Sequence, residues 1–384
     1  MAEPLRVLLP TDVFPPGCGG AGWSAHALAT ALQARGHHVT AIIPHAAPAP
    51  LLGLRHGMRR AASTVEYVDG IRTVRLPYNV PRVPVVANWY RHEWLWPLLR
   101  NIVVQEALRV STHTTASLQG ARLVIHAQHV QSVPAAVLAG RELEAPVVAT
   151  VRDHWPRDYF ATGLHGDRVP YPTNSWAGLL TDLVARQGVL KGLLAGPAIP
   201  YMLAHLRRRQ QFLAQADAVV AVSKYVAGLL PEVVPRDRIH VVPNLVDVEA
   251  IERSRSPEKP LPVDRPFLLF VGKLERNKGV LLLPDVLRSA RDASGGSPLP
   301  RLVVAGTGPR RAELEAGLEA AGVDYQILPG WTEHDLVLRL MRRAEVLIFP
   351  SAWGDPLTRV LLEASAAGAC IAAMATGGTP EIVE

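Results

Sequence analysis

The sequence predicts an α/β protein made of two parallel-sheet units in tandem, and three observations carry that expectation. Apolar runs of strand length alternate with helical patterns in both halves, as strands joined by crossover helices do. Each half opens with a strand, a glycine turn and a helix. Between the two sets lies a polar, proline-containing stretch, Glu252 to Pro266 (ERSRSPEKPLPVDRP), which reads as a linker. With 384 residues the chain is long enough for two cores. A content of 48% hydrophobic and 19% charged residues describes a folded chain and excludes a disordered one.

The elements follow in order. Arg6 to Pro10 (RVLLP) is the first strand. Ala25, Leu28, Ala29 and Leu32 recur at helical spacing before Gly36, a C-cap, and Val39 to Ile43 (VTAII) is the second strand. Arg122 to Ala127, Pro146 to Val151, Ala218 to Ser223 and Ile239 to Asn244 read as buried strands of the first half. Phe267 to Gly272, Arg301 to Gly308, Tyr325 to Gly330, Glu345 to Ser351 and Cys370 to Met374 read so in the second. Two segments break the rhythm: Asn88 to Val104, with tryptophans beside Arg91, His92 and Arg100, and the apolar Gly178 to Gln210 with basic punctuation. Arg186, Lys191, Gly196, Pro197 and Pro200 keep the second below the ~20 apolar residues of a bilayer span. Both suit core helices, an acceptor groove or a membrane surface.

Residues 1–242 hold 24 Lys and Arg against 15 Asp and Glu, net +9, while residues 243–384 hold 16 against 19, net −3. A basic first half suits a solvated surface or an anionic partner. No nucleic-acid motif is present, so an anionic membrane is the sharper expectation and nucleic acid is not expected. Cys18 and Cys370 are the only cysteines, which excludes a disulfide framework and a thiolate zinc site. The N-terminus enters a strand without a basic, then apolar, leader, so a cytoplasmic protein is expected, peripheral at the inner face of the membrane.

Gly17, Gly19 and Gly22 in PPGCGGAGWS spell the dinucleotide fingerprint G-x-G-x-x-G. TDVFP separates the strand from the first glycine, and the second strand ends in Pro44 and His45 with no acidic residue for a ribose. The loop therefore reads as a glycine loop at a helix N-terminus, suited to some other anion. In the second half, Lys273 and Lys278 follow a strand end beside Gly272 and Gly279, where two ammonium groups suit a diphosphate. In PSAWGDPLTRVLLEASAAG a strand ends at Ser351, a loop carries Asp355, and an apolar helix carries Glu363 with seven residues between them. A carboxylate in such a helix needs a partner, and a ribose diol would serve. TGGTPEIVE adds a further glycine turn.

In this order these segments resemble the retaining, nucleotide-sugar-dependent glycosyltransferases of the GT-B fold, of the group 1, family 4 type. GGAG, VVATVRDHWP, AVSKYV, VVPNLVD, GKLERNKG, the carboxylate pair and TGGTPEIV all take part, so the likeness covers nearly the whole chain. It implies two Rossmann-like domains facing a central cleft: an acceptor-binding domain over 1–243, a linker over 244–266 and a nucleotide-sugar-binding domain over 267–384. Family members continue past PEIV, so this second domain is expected to be incomplete. The resemblance further implies that Lys273 and Lys278 neutralise the donor diphosphate, that Glu363 holds the ribose and that Asp355 lies by the donor sugar. Gly272, Gly330 and the Pro356, Leu357, Thr358 turn complete the donor site, with Gly19 and Gly20 facing the phosphates or the acceptor. His129 is expected to contact the sugar and His126 to be structural, with Gln128 at the family's histidine position. Arg152 and Asp153 are expected to bind donor sugar or acceptor.

This sequence departs from the family pattern at four places: Asp355 for Glu, Thr358 for Gly, Leu245 for Gly and Gln128 for His. Breaking a glycosyl phosphate bond leaves charge on the diphosphate, so fixed cations there are the main catalytic lever. There is no D-x-D, and neither a metal nor a cofactor is expected, the nucleotide-diphosphate sugar being a co-substrate. The expected function is transfer of a hexosyl unit to a glycolipid, lipid-linked glycan or small molecule. The alternatives are a sugar-nucleotide epimerase on the same fold and a non-catalytic nucleotide-sugar-binding protein.

Overall fold

A computed structural model describes residues 3–49, 63–81, 84–112, 121–164, 166, 175–253, 260–264 and 266–383. Part of the expected linker, 254–259 and 265, lies outside them, as does Glu384. The chain divides into two compact units: Met1–Thr162 with Pro197–Leu245, and Gly163–Gly196 with Val246–Glu384.

The first unit is built on eight strands: β1 (Leu5–Pro10), β2 (His38–Ala49), β3 (Thr64–Val68), β4 (Ile71–Pro81), β5 (Arg122–Ala127), β6 (Val147–Val151), β7 (Ala218–Ala221) and β8 (Ile239–Val241). Their order in the sheet is β3-β4-β2-β1-β5-β6-β7-β8, and all pairs are parallel except β3 with β4. The sequence reading missed those two strands. Their turn, Asp69-Gly70, has both residues at positive φ (48° and 79°), the geometry of a tight hairpin. β3 is largely exposed, so no apolar run marks it. The order reverses at β1, which pairs β2 on one side and β5 on the other.

The helix Gly20–Ala34 covers β1 and β2 through small residues: Ala25 and Ala29 pack with Val7, Leu9, Val39, Ala41 and Ile43 in one core. Gly22 lies where a Cβ would come 2.4 Å from Cys18 Sγ, so the glycine loop closes tightly onto its own helix. Asn88 to Val104 resolves into a π-helical turn, Tyr90–Trp94, and the start of the helix Leu95–Thr112. Leu95, Trp96, Leu99 and Val103 are buried there, so one face of this segment is core.

The second unit carries five strands, β9 (Phe267–Val271), β10 (Arg301–Ala305), β11 (Tyr325–Ile327), β12 (Val346–Phe349) and β13 (Ile371–Ala373), ordered β11-β10-β9-β12-β13 and all parallel. Strand alternation explains their unbroken apolar runs. Phe267, Leu269, Val271, Val303 and Ala305 feed one core, whereas Leu268, Phe270, Leu302 and Val304 feed the core on the opposite face. Here the order reverses at β9, between β10 and β12.

Candidate functional site

In open parallel sheets ligands bind beyond the carboxyl ends of the strands, at the reversal point. In the first unit that edge carries Asp12 after β1, His129 after β5 and Asp153 after β6. His129 is held from both sides, Nδ1 at 2.9 Å from Asp12 Oδ2 and Nε2 at 2.9 Å from Asp153 Oδ2. Burial opposes a charge on this ring, but the Asp153 and Asp12 carboxylates outweigh it and raise its pKa to about 10. His129 is therefore an imidazolium at neutral pH and donates from both nitrogens. Asp12 Oδ2 also accepts the Gln131 N–H at 3.1 Å, and Asp153 Oδ1 accepts the Trp155 N–H at 2.8 Å, which fixes both carboxylates.

A second network lies alongside. Arg152 donates to Gln128 Oε1 at 2.6 Å and to the Asn244 side chain, tying the ends of β5 and β6 to the segment after β8. His126 hydrogen-bonds Thr150 at 2.8 Å; burial, with Arg152 as a second cause, lowers its pKa to about 3, so it is a neutral structural histidine. Gly19 is the N-cap of Gly20–Ala34, and a Cβ there would meet nothing within 4 Å. No side chain caps the first amides of that helix.

In the second unit, the edge brings Lys278 and Asp355 together across β9 and β12. Lys278 Nζ lies 2.7 and 2.9 Å from the two Asp355 oxygens and 4.8 Å from the Trp353 ring centroid, and Ser351 Oγ donates to Asp355 at 2.8 Å. Gly279 makes the approach possible: at φ +71° its missing Cβ would lie 1.7 Å from Pro350 O. Gly377 in the TGGTP turn is likewise pressed onto Asp355, its absent Cβ 2.3 Å from the Asp355 carbonyl oxygen. Lys273 is the contrasting cation, 72% exposed with Glu275 at 4.0 Å its one ion-pair partner among the described residues.

Glu363 sits on the helix Arg359–Ala366, bonded by Arg359 at 2.7 Å and His334 at 3.1 Å. Burial would raise its pKa, but the hydrogen bond from His334 and the charge of Arg359 lower it. Thr358 is the N-cap of this helix without a side-chain cap bond, Pro356 and Leu357 are buried beside it, and Gly330 (φ +62°) follows β11 with open space at its Cβ.

Lys273, Lys278, Asp355, the Pro356 to Thr358 turn and Glu363 thus share one unit, and Lys273, Lys278 and the Asp355 loop meet at its β9/β12 reversal. Three of the expected site residues already have protein partners. Glu363 has protein partners, so the need for a partner no longer argues for a ribose. Asp355 is already engaged by Lys278 and Ser351. Both nitrogens of His129 are occupied, by Asp12 and Asp153. Asp12 was missed by the sequence reading, although a carboxylate two residues past the first strand, at the point where the sheet order reverses, was a signal for it. His334 was missed because it is distant in sequence from Glu363.

Comparison with known proteins meets both units. Residues 18–250 match the family model described as Glycosyltransferase Family 4, and residues 252–384 match Glycosyl transferases group 1. A 2-deoxystreptamine N-acetyl-D-glucosaminyltransferase of Streptomyces fradiae is 32% identical over 181 residues, covering 44% of this chain and 42% of that protein. A D-inositol 3-phosphate glycosyltransferase of Xylanimonas cellulosilytica is 33% identical over 215 residues, covering 51% and 49%. The chain spans about half or less of the length of these curated relatives. Among solved structures, Anabaena Alr3699/HepE in complex with UDP and glucose aligns with a TM-score of 0.57 at 17% identity, over 99% of this chain and 83% of that one. The catalytic domain of Arabidopsis thaliana starch synthase IV, bound to ADP and acarbose, gives 0.58 at 15% identity, over 98% and 84%. The fold is GT-B, and the chain belongs to the group 1, family 4 glycosyltransferases.

Proposed function

We propose that this chain transfers a hexosyl unit from a nucleotide-diphosphate sugar to an acceptor, with retention of anomeric configuration and without a metal or cofactor. The observation that carries the reading is the carboxyl edge of the second sheet, which carries an exposed lysine and a fixed lysine–aspartate pair after β9 and β12, followed by a helix N-terminus without a side-chain cap. Transfer breaks the bond between the anomeric carbon and a phosphate oxygen, and the bonding pair stays on the diphosphate. A bond to the acceptor oxygen forms, and the acceptor proton passes to the departing diphosphate. Only charge already in place stabilises that leaving group without reorganisation. Lys273 supplies a largely uncompensated charge. Lys278, clamped by Asp355 and Trp353, supplies a second whose position is fixed before the donor arrives. The amides after Thr358 add partial positive charge. Glu363, held by Arg359 and His334, presents a carboxylate to the donor ribose. Asp12, Asp153, Arg152 and the Gly19–Gly20 terminus form the acceptor end.

Retention rests on the family likeness alone. The acceptor is a glycolipid, a lipid-linked glycan or a small molecule, and the protein works in the cytoplasm. The test supplies uridine-, guanosine- and adenosine-diphosphate sugars with a panel of such acceptors, and follows nucleotide release and the anomer formed by NMR. Nucleotide release that requires acceptor, with a retained anomer, supports the reading. Interconversion of the donor sugar without an acceptor makes the protein an epimerase, and tight donor binding without turnover makes it a sensor.

A further inference from the structure

The second of the two irregular segments, Gly178 to Gln210, is not used by the chemistry above. Its first part is a helical hairpin, Trp176–Gln187 followed by Val189–Leu194. Gly192 is buried against the first helix, its missing Cβ 2.5 Å from the Cα of Val184, so the short helix lies close on its neighbour. At about 100° per residue, Val189, Leu190, Leu193 and Leu194 occupy one arc of about 140° on the side away from Gly192. All four face water: Val189 is 66% exposed, Leu190 74%, Leu193 54% and Leu194 74%. Single exposed leucines are common on soluble proteins, but four on one face of a six-residue helix leave an uncovered apolar patch.

We infer that the helix Val189–Leu194 is a membrane-docking element that inserts its leucine face into the interfacial region of an anionic bilayer. The exposed leucine face, with a cation and a tryptophan beside it, favours lipid over a solvated role. From Gln187 to Leu194 the sequence holds no Asp or Glu, and Lys191 is its one cation. Lys191 stands exposed on the same short helix, where its ammonium reaches headgroups while the leucines go deeper. Trp176, 52% exposed at the start of the hairpin, is the residue type enriched at that depth. Contrary to the expectation from sequence, the run Val189–Leu213 is long and apolar enough by composition to cross a bilayer, its 18-residue apolar window having a mean hydropathy of 1.3 and 33% of its residues buried. Crossing is opposed by the structure: Gly196–Ala198 forms a 3-10 turn, and Met202, His205, Leu206 and Arg209 beyond it are buried in protein. The element therefore lies on the membrane. A patch of one short helix also falls well below the ~1,200 Å² of a stable dimer interface.

The inference stands independently of the glycosyltransferase reading, and one set of samples separates them. The full chain, Leu190→Ser/Leu194→Ser and Lys191→Ala are floated with vesicles of phosphatidylcholine containing about 30% phosphatidylglycerol, and with phosphatidylcholine alone, at low and high salt. Donor binding and the thermal midpoint are measured on the same preparations. The wild type is expected to float with the anionic vesicles at low salt, and the double leucine variant to lose at least ~10-fold in binding with an unchanged midpoint and unchanged donor binding. Lys191→Ala is expected to weaken binding only at low salt. Absence of flotation, equal flotation of the double variant, or a leucine-dependent dimer in sedimentation overturns the inference. Loss of donor binding in the wild type, with flotation intact, overturns the functional reading instead.

Discussion

At the scale of residues, the two edges are organised by charge pairs fixed before any ligand arrives. His129 between Asp12 and Asp153 is the clearest case. Its pKa is raised from 6.5 to about 10, so the stabilisation it gives is complete below about 6.5 and is lost as pH rises through about 10. Removing the ring leaves two carboxylates facing each other without a cation. His129→Gln should cost roughly 2 kcal/mol at neutral pH, less than a fully buried pair because the ring is partly exposed. Denaturant titrations of both proteins check this, and the difference between them should shrink in alkaline solution. The Lys278–Asp355 pair gives a different signature. Lys278→Ala should lower kcat more than donor affinity, because its fixed charge acts most on the developing diphosphate. It should also lower the thermal midpoint, because Asp355, only 4% exposed, loses its cation, and Asp355→Asn in the same chain should restore much of that loss. An unchanged kcat for Lys278→Ala would remove this lysine from the chemistry.

At the scale of elements, glycines let loops reach the sheet edge, and the structure separates those that are needed from those that are only permissive. Gly279 and Gly295 have the same φ of +71°, but a Cβ at Gly279 would sit 1.7 Å from Pro350 O, whereas one at Gly295 meets nothing within 4 Å. Gly295→Ala should therefore cost about 1 kcal/mol, and Gly279→Ala roughly 3 kcal/mol or more with loss of donor binding. Thermal melts and donor titrations of the pair decide it. The sequence made Gly279 legible through its place after Lys278, though not the backbone it avoids. Buried strands such as Phe267–Val271 were legible because both faces feed cores and the apolar run is unbroken. β3 was not, because it is an exposed edge, and its only sign was the Asp69-Gly70 turn. Lysines and carboxylates near strand ends were legible as site residues. Their pairing was not, since Lys278 with Asp355 and His129 with Asp12 are contacts between segments that only the folded sheet brings together.

At the scale of the whole molecule, pH acts on the first unit in both directions. Burial lowers His92 to about 4, His126 to about 3 and His205 to about 2, from 6.5 when unfolded. The unfolded chain takes up these protons first, so the stability they leave intact above about 6.5 declines as the solution is acidified towards about 4. Calorimetry over that interval should show the first unit melting progressively earlier, and His126→Asn should flatten the slope. Each unit carries an edge of fixed charges, and the claim on which the rest depends is that the second unit binds a nucleoside diphosphate through its lysines. Calorimetric titration of uridine, guanosine and adenosine diphosphates into the wild type and Lys273→Ala/Lys278→Ala tests it most directly. The account predicts saturable binding of at least one of them by the wild type and a loss of at least ~10-fold, about 1.4 kcal/mol, in the double variant. Equal affinity in the two proteins, or no binding of any diphosphate to the wild type, would contradict it.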